Sequence, residues 1–167
     1  MTPHQAEIGK DYERYRNHVY RVFNYAWYLL EYDEDSEEKL AIAAVYHDIG
    51  IWTDKTFDYL DPSVHKMRAY LQSIGQENWI DEIRMMILLH HKISSYRGHI
   101  YHAIVESFRQ ADTLDLLFGF KRFGIPKTLI KQINKQFPSL GFRRMLLKMT
   151  GKRFLRHPLN PLPMFKR

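Results

Sequence analysis

Residues 15–30 read YRNHVYRVFNYAWYLL, and the apolar members Tyr15, Val19, Val22, Phe23, Ala26, Leu29 and Leu30 return every three or four positions. That period describes one buried stripe on a helix running from about 11 to 32. His18 stands just beside the stripe, a polar ring at the margin of an apolar face. The acidic break Asp33-Glu34-Asp35-Ser36 predicts a second helix from about 37 to 50, with Ser36 a partial cap and Gly50 its end. Residues 51–60 have no clean period and read as a surface loop. Asp61-Pro62 then opens a helix that Gly75 stops, and Asn78 caps another reaching about 91. Ser94 to Gly98 reads as a loop, followed by a helix over about 99–117 and two basic helices near 126–136 and 139–152. No alternating strand pattern of any length occurs, so the fold class is all-α, a helical bundle of about seven helices.

The 167 residues, 45% hydrophobic, suffice for one substantial core, so a single domain over 1–167 is expected. Its core should occupy about 11–117, with a basic helical extension over about 121–156 and a proline-rich tail at 157–167. The absence of cysteine excludes disulfide scaffolds, thiolate nucleophiles and cysteine-ligated metals, leaving nitrogen and oxygen as the available ligands. No stretch reaches the length of about 18 to 20 apolar residues that crosses a bilayer. The opening MTPHQAEIGKDYERYRNH lacks the apolar run of a signal peptide, making the cytoplasm the expected compartment.

The net charge of +6 conceals an asymmetry. Residues 121–167 hold 13 Lys or Arg and no acid, leaving 12 basic residues against all 19 acidic ones in the first 120, a local charge of −7. The basic third is thus a candidate contact for phosphates, nucleic acid or an anionic membrane, or a set of solvated helix faces. On the last helix Phe142, Met145, Leu146 and Met149 form one face, while Arg143, Arg144, Lys148 and Lys152 are expected to lie largely outside it. Tyr25, Trp27, Trp52 and Trp79 read as core filling rather than a base-stacking platform.

Among nine histidines, placement matters more than number. His18, His47, Asp48, His65, His90 and Asp112 fall one or two per helix on five successive helices, the way bundles assemble metal sites. Any one histidine beside an apolar face is more often a hydrogen-bonded rim residue; the ordered set of six is the argument. Mixed imidazole and carboxylate donors suit iron, zinc, manganese or nickel. Burying Asp48 within AAVYHDIG and Asp112 within FRQADTLDL would be costly without a cation. Neighbours on a helix diverge by about 100°, so His47 and Asp48 share an ion only if it sits astride them. His4, His99, His102 and His157 lack this context and read as surface or capping residues.

The early histidine in HVYRV, the doublet in AVYHDIG and the late aspartate in RQADTLDL resemble the H…HD…D signature of the HD-domain superfamily of metal-dependent phosphohydrolases, over residues 15–117. SVHKMRAYL and IRMMILLHHK resemble the two further histidine segments of members that bind two metals. The resemblance implies a first divalent ion on His18, His47, Asp48 and Asp112, with Asp48 bridging to a second on His65 and His90. The ions would be Fe, Mn, Zn or Ni. It also implies hydrolysis of a small anionic phosphate ester or anhydride, a nucleotide or dinucleotide, by a metal-activated water, with Asp48 and His91 catalytic. Lys55, Lys92, Arg97 and Arg109 are candidate phosphate contacts, since the lysine some members place soon after the doublet is missing. Two alternatives stand beside it: a mixed-valent di-iron oxygenase, which shares the ligand set, and a non-catalytic nucleotide-binding module, whose expected mark is lost ligands where here all six are present.

Overall fold

The computed structural model describes residues 4–98 and 100–157, together with 159 and 164. Helices account for the regular structure, with no strand among the described residues. Seven long helices form the body: α2 (Tyr12–Leu29), α3 (Glu34–Tyr46), α5 (Leu60–Ser73), α6 (Ile80–Leu89), α7 (His102–Leu116), α8 (Lys127–Gln136) and α9 (Phe142–Arg156). Two single turns, α1 (Gln5–Ile8) and α4 (Gly50–Thr53), complete the set.

The stripe on α2 buries Tyr15, Val19, Val22, Tyr25 and Ala26. It lies against α3 and α7, while α5 and α6 pack as a pair against α3 and α7. One core cluster extends from Ile8 through Leu40, Met67, Met86 and Phe108 to Ile130, Ile133 and Phe142. The basic third therefore contributes side chains to the same core. Trp27, Trp52 and Trp79 pack at its edge and Tyr25 lies within it.

Several boundaries shift from their expected places for local reasons. Helix α3 begins at Glu34, ahead of Ser36, because Glu34, Asp35 and Glu37 place negative charge at its N-terminal end. Ser36 bonds back to Asp33. Residues 51–60 open with the α4 turn rather than a plain loop. Asn78 falls in a 3-10 turn before α6. Helix α7 starts at His102, after Tyr101 takes a left-handed conformation (φ 56°). Helix α9 runs farther than the expected 152, to Arg156. Gly75 does end α5, at φ 70°, with the amide of Gln76 reaching back to the Leu71 carbonyl.

At Gly50 the chain comes too close to α5 for any side chain. A Cβ there would stand 2.7 Å from the Tyr59 carbonyl oxygen and 3.0 Å from Pro62 Cβ. The Gly50 amide donates to Ser63 Oγ at 3.0 Å, clamping the turn that follows α3 onto the start of α5. Gly50→Ala should therefore destabilise the fold by about 1–3 kcal/mol through backbone displacement. Urea unfolding of the variant measures this, and unchanged stability would show that the clamp yields freely.

Candidate metal centre

Helix α3 ends at Tyr46, and the chain tightens into i→i+3 bonds, Ile49 to Tyr46 and Ile51 to Asp48. His47 and Asp48 thus leave the regular helix, and both reach the same centre. From α2 comes His18, from the end of α6 His90, and from α7 Asp112; all five are at most 3% exposed.

The second nitrogen of each imidazole fixes its orientation. His18 Nδ1 donates to Asp115 Oδ2 at 2.7 Å, His47 Nδ1 to the Ala44 carbonyl at 2.8 Å, and His90 Nδ1 to the Ile87 carbonyl at 2.7 Å. Because carboxylates and carbonyls can only accept, the Nε2 atoms are left for the centre. His18 Nε2 and His47 Nε2 face each other at 3.0 Å. His18 Nε2 lies 3.5 Å from Asp112 Oδ1. The two oxygens of Asp48 divide: Oδ2 stands 3.4 Å from His47 Nε2 and Oδ1 stands 3.5 Å from His90 Nε2.

Three overlapping groups have ligand atoms within 4.8 Å of one another and could hold a metal ion: His18, His47 and Asp112; His47, Asp48 and His90; and His90, His91 and Asp112. The donor chemistry fits a cation. Asp48 Oδ1, His90 Nε2 and both Asp112 oxygens are buried with no hydrogen-bond partner, an arrangement costly to maintain unless something else satisfies them. Burial drives His47 neutral, to a pKa of about 3, so its Nε2 is a bare lone pair. Burial also raises the Asp112 carboxyl to about 6, with Asp48 and Asp115 adding repulsion against the pull of His90 and His18. For Asp48 burial acts in the same direction, but His47 and His90 outweigh it and hold the carboxyl below its usual range.

Asp115 supports this centre from behind. Its carboxylate accepts from Arg21 Nε at 2.7 Å and Nη2 at 2.8 Å, from Arg143 Nη2 at 2.8 Å, and from His18. Burial disfavours its charge, yet Arg21 and His18 together keep it ionised. Phe142 stacks on the His18 ring at 4.3 Å, and Phe108 meets the His47 ring edge-on at 5.6 Å. Arg143 therefore turns inward instead of lying on the outer face of α9. Asp115, Arg21 and Tyr59 were not singled out from the sequence, and Phe142 was read only as part of the apolar face of the last helix. For Asp115 a signal existed, a second aspartate one turn after Asp112 on an apolar helix.

His65 departs from its expected role. It sits on the exposed side of α5 and joins none of the three groups. The α5 face that packs inward carries Val64, Met67 and Leu71, which leaves position 65 outside. His91 stands nearer the centre: its Nδ1 is 3.9 Å from Asp112 Oδ2, and its Nε2 meets the Tyr59 hydroxyl at 2.5 Å. Burial raises the Tyr59 phenol well above its ordinary pKa, so it remains protonated.

The candidate phosphate contacts scatter. Arg109 is buried and forked onto Glu106 at 2.6 and 2.8 Å, and it also donates to the Lys92 carbonyl at 3.1 Å, so it fastens the segment after α6 onto α7 rather than waiting for an anion. Lys92 is half-buried and Arg97 exposed. Lys55 is exposed in a groove shared with Lys152, Arg153 and Arg156. His4 bonds Glu7, His102 begins α7 and His157 follows α9. His99 lies outside the described residues, as does most of the proline-rich tail.

A cavity of about 290 Å³ has His91 and Tyr59 in its wall, alongside residues of α7 and α9. A larger depression between α3 and α5, near Tyr46 and Tyr70, includes none of the clustered residues. No described helix is long and apolar enough to cross a membrane. Compared with known proteins, the chain matches no family model, no curated protein and no solved structure.

Asp115→Asn should cost about 3–5 kcal/mol by leaving Arg21 buried without its countercharge, and should weaken divalent-metal binding by about 10–100-fold by freeing the His18 ring. Urea unfolding and metal titration measure the two effects separately. Full metal affinity in a destabilised variant would show that His18 needs no support from behind.

Proposed function

We propose that this protein is a metal-dependent phosphohydrolase of the HD type, hydrolysing a phosphate ester or anhydride. The observation that carries the reading is the division of the Asp48 carboxylate, one oxygen toward His47 and the other toward His90, within a set of buried donors that have no internal partner. His18, His47, Asp48 and Asp112 supply donors in the order that the HD signature implies. His90 extends the set, and His91 stands beside Asp112 whereas His65 does not join the cluster.

A pair of divalent ions held by these residues would supply Lewis acidity and a water whose pKa falls from about 16 towards 7. The chain's own groups then set orientation and proton traffic. Asp48 bridges the two halves of the centre. When the Tyr59 phenol donates to His91 Nε2, the ring's proton is on Nδ1, at the edge facing Asp112, where it would pass to a leaving oxygen. Phe142, Tyr15 and Phe108 exclude water from the rings of His18 and His47.

Asp48→Ala should lose bound metal and phosphate release together, whereas His65→Ala should keep both; elemental analysis and a phosphate-release assay over alkyl phosphates and nucleotides check this. Stoichiometric metal in Asp48→Ala would remove the bridging role. Turnover that requires dioxygen and releases no phosphate would replace hydrolysis by the di-iron oxygenase reading, for which the same nitrogen and oxygen donors serve.

His91→Gln separates proton transfer from ligation. Retained metal with phosphate release lowered by about 10²–10⁴-fold supports the proton role. Loss of metal in this variant would make His91 a ligand instead.

A further inference from the structure

The cavity beside the centre has a mostly apolar wall with a few polar members. Its polar members connect to the cluster: His91 stands beside Asp112, Tyr59 bonds His91, and Arg143 bonds the Asp115 carboxylate that holds His18. The rest of the wall includes Phe57, Leu116, Leu146, Leu147 and Met164, with Thr150 supplying a hydroxyl. A nucleobase or sugar is recognised through directed donors and acceptors, and its polar edges would be stripped of water against this wall without replacement. An alkyl or aryl group loses nothing there and gains by leaving water.

We propose that the organic arm of the substrate is apolar: an amphiphilic phosphoester whose anionic head lies at His91, beside the buried cluster, and whose hydrocarbon arm fills the cavity between α7 and α9. The proposal rests on the phosphohydrolase reading for the head group. Its apolar part stands on the cavity itself. Leu147, a lining residue, is 66% exposed, so the cavity wall reaches the surface of the protein and a longer arm would extend into solvent.

Two series test this on the manganese-loaded full chain, with every compound below its micelle-forming concentration. Calorimetry follows binding of methyl-, butyl-, hexyl- and octylphosphonate, and a phosphate assay follows release from the matching alkyl phosphates and from adenosine monophosphate. Affinity and kcat/KM should each rise about fourfold per methylene until the cavity is full, and the nucleotide should do no better than methyl phosphate. Leu147→Glu should lower octylphosphonate affinity by about tenfold by placing a charge against the arm. Release from the nucleotide with a flat chain-length series overturns the apolar arm and leaves the hydrolase reading intact. Rising phosphonate affinity without phosphate release from any compound does the reverse. A flat binding series without release defeats both.

Discussion

The Asp115 carboxylate is the point on which three separated parts of the chain depend. It accepts two bonds from Arg21 and one from His18 on α2, and one from Arg143 on α9, all in a region closed to solvent. An ion there is tolerable because its charge is fully answered. The consequence extends forward: Arg21 and Arg143 are taken up by Asp115, and Asp48 and Asp112 are left as two buried carboxylates close to the imidazoles of His18, His47 and His90. One layer of charge is closed so that the next remains open to a cation.

The helical fold was legible because periodicity is a local property. The stripe on residues 15–30, the glycine at 75 and the acidic break at 33–36 each act within a turn or two of themselves. The gathering of His18, His47, Asp48, His90 and Asp112 was legible as an ordered pattern of donor types, although nothing in spacing alone measures the 3.0 Å between two Nε2 atoms. His65 shows where such reading stops. Its neighbours Val64 and Met67 point into the core, and rotation by one residue puts His65 outside. Identity as a histidine carried no information about facing.

Arg109 and Arg143 both depart from their expected roles for a related reason, each being bonded to an internal carboxylate. Arginine on a helix says nothing about whether its fork meets an internal carboxylate, and only three-dimensional packing brings Glu106 to one and Asp115 to the other. The basic third likewise looked like a separable module by charge, yet Ile130, Ile133 and Phe142 enter the common core, and the Phe137 and Pro138 carbonyls accept bonds from Arg21 and Asn17. Apart from Arg143 and Arg153, its described lysines and arginines are exposed, while its apolar and backbone groups complete the wall around the centre.

Phe142 lying flat on the His18 ring gives α9 the position of a cover. With Arg143 bonded to Asp115 in the next position of the same helix, the last helix is tied both to the ring of one donor and to the carboxylate that orients it. Loosening of α9 would therefore free the His18 ring to turn, so the order of the chain's last helix and the alignment of a donor on its first long helix are one property.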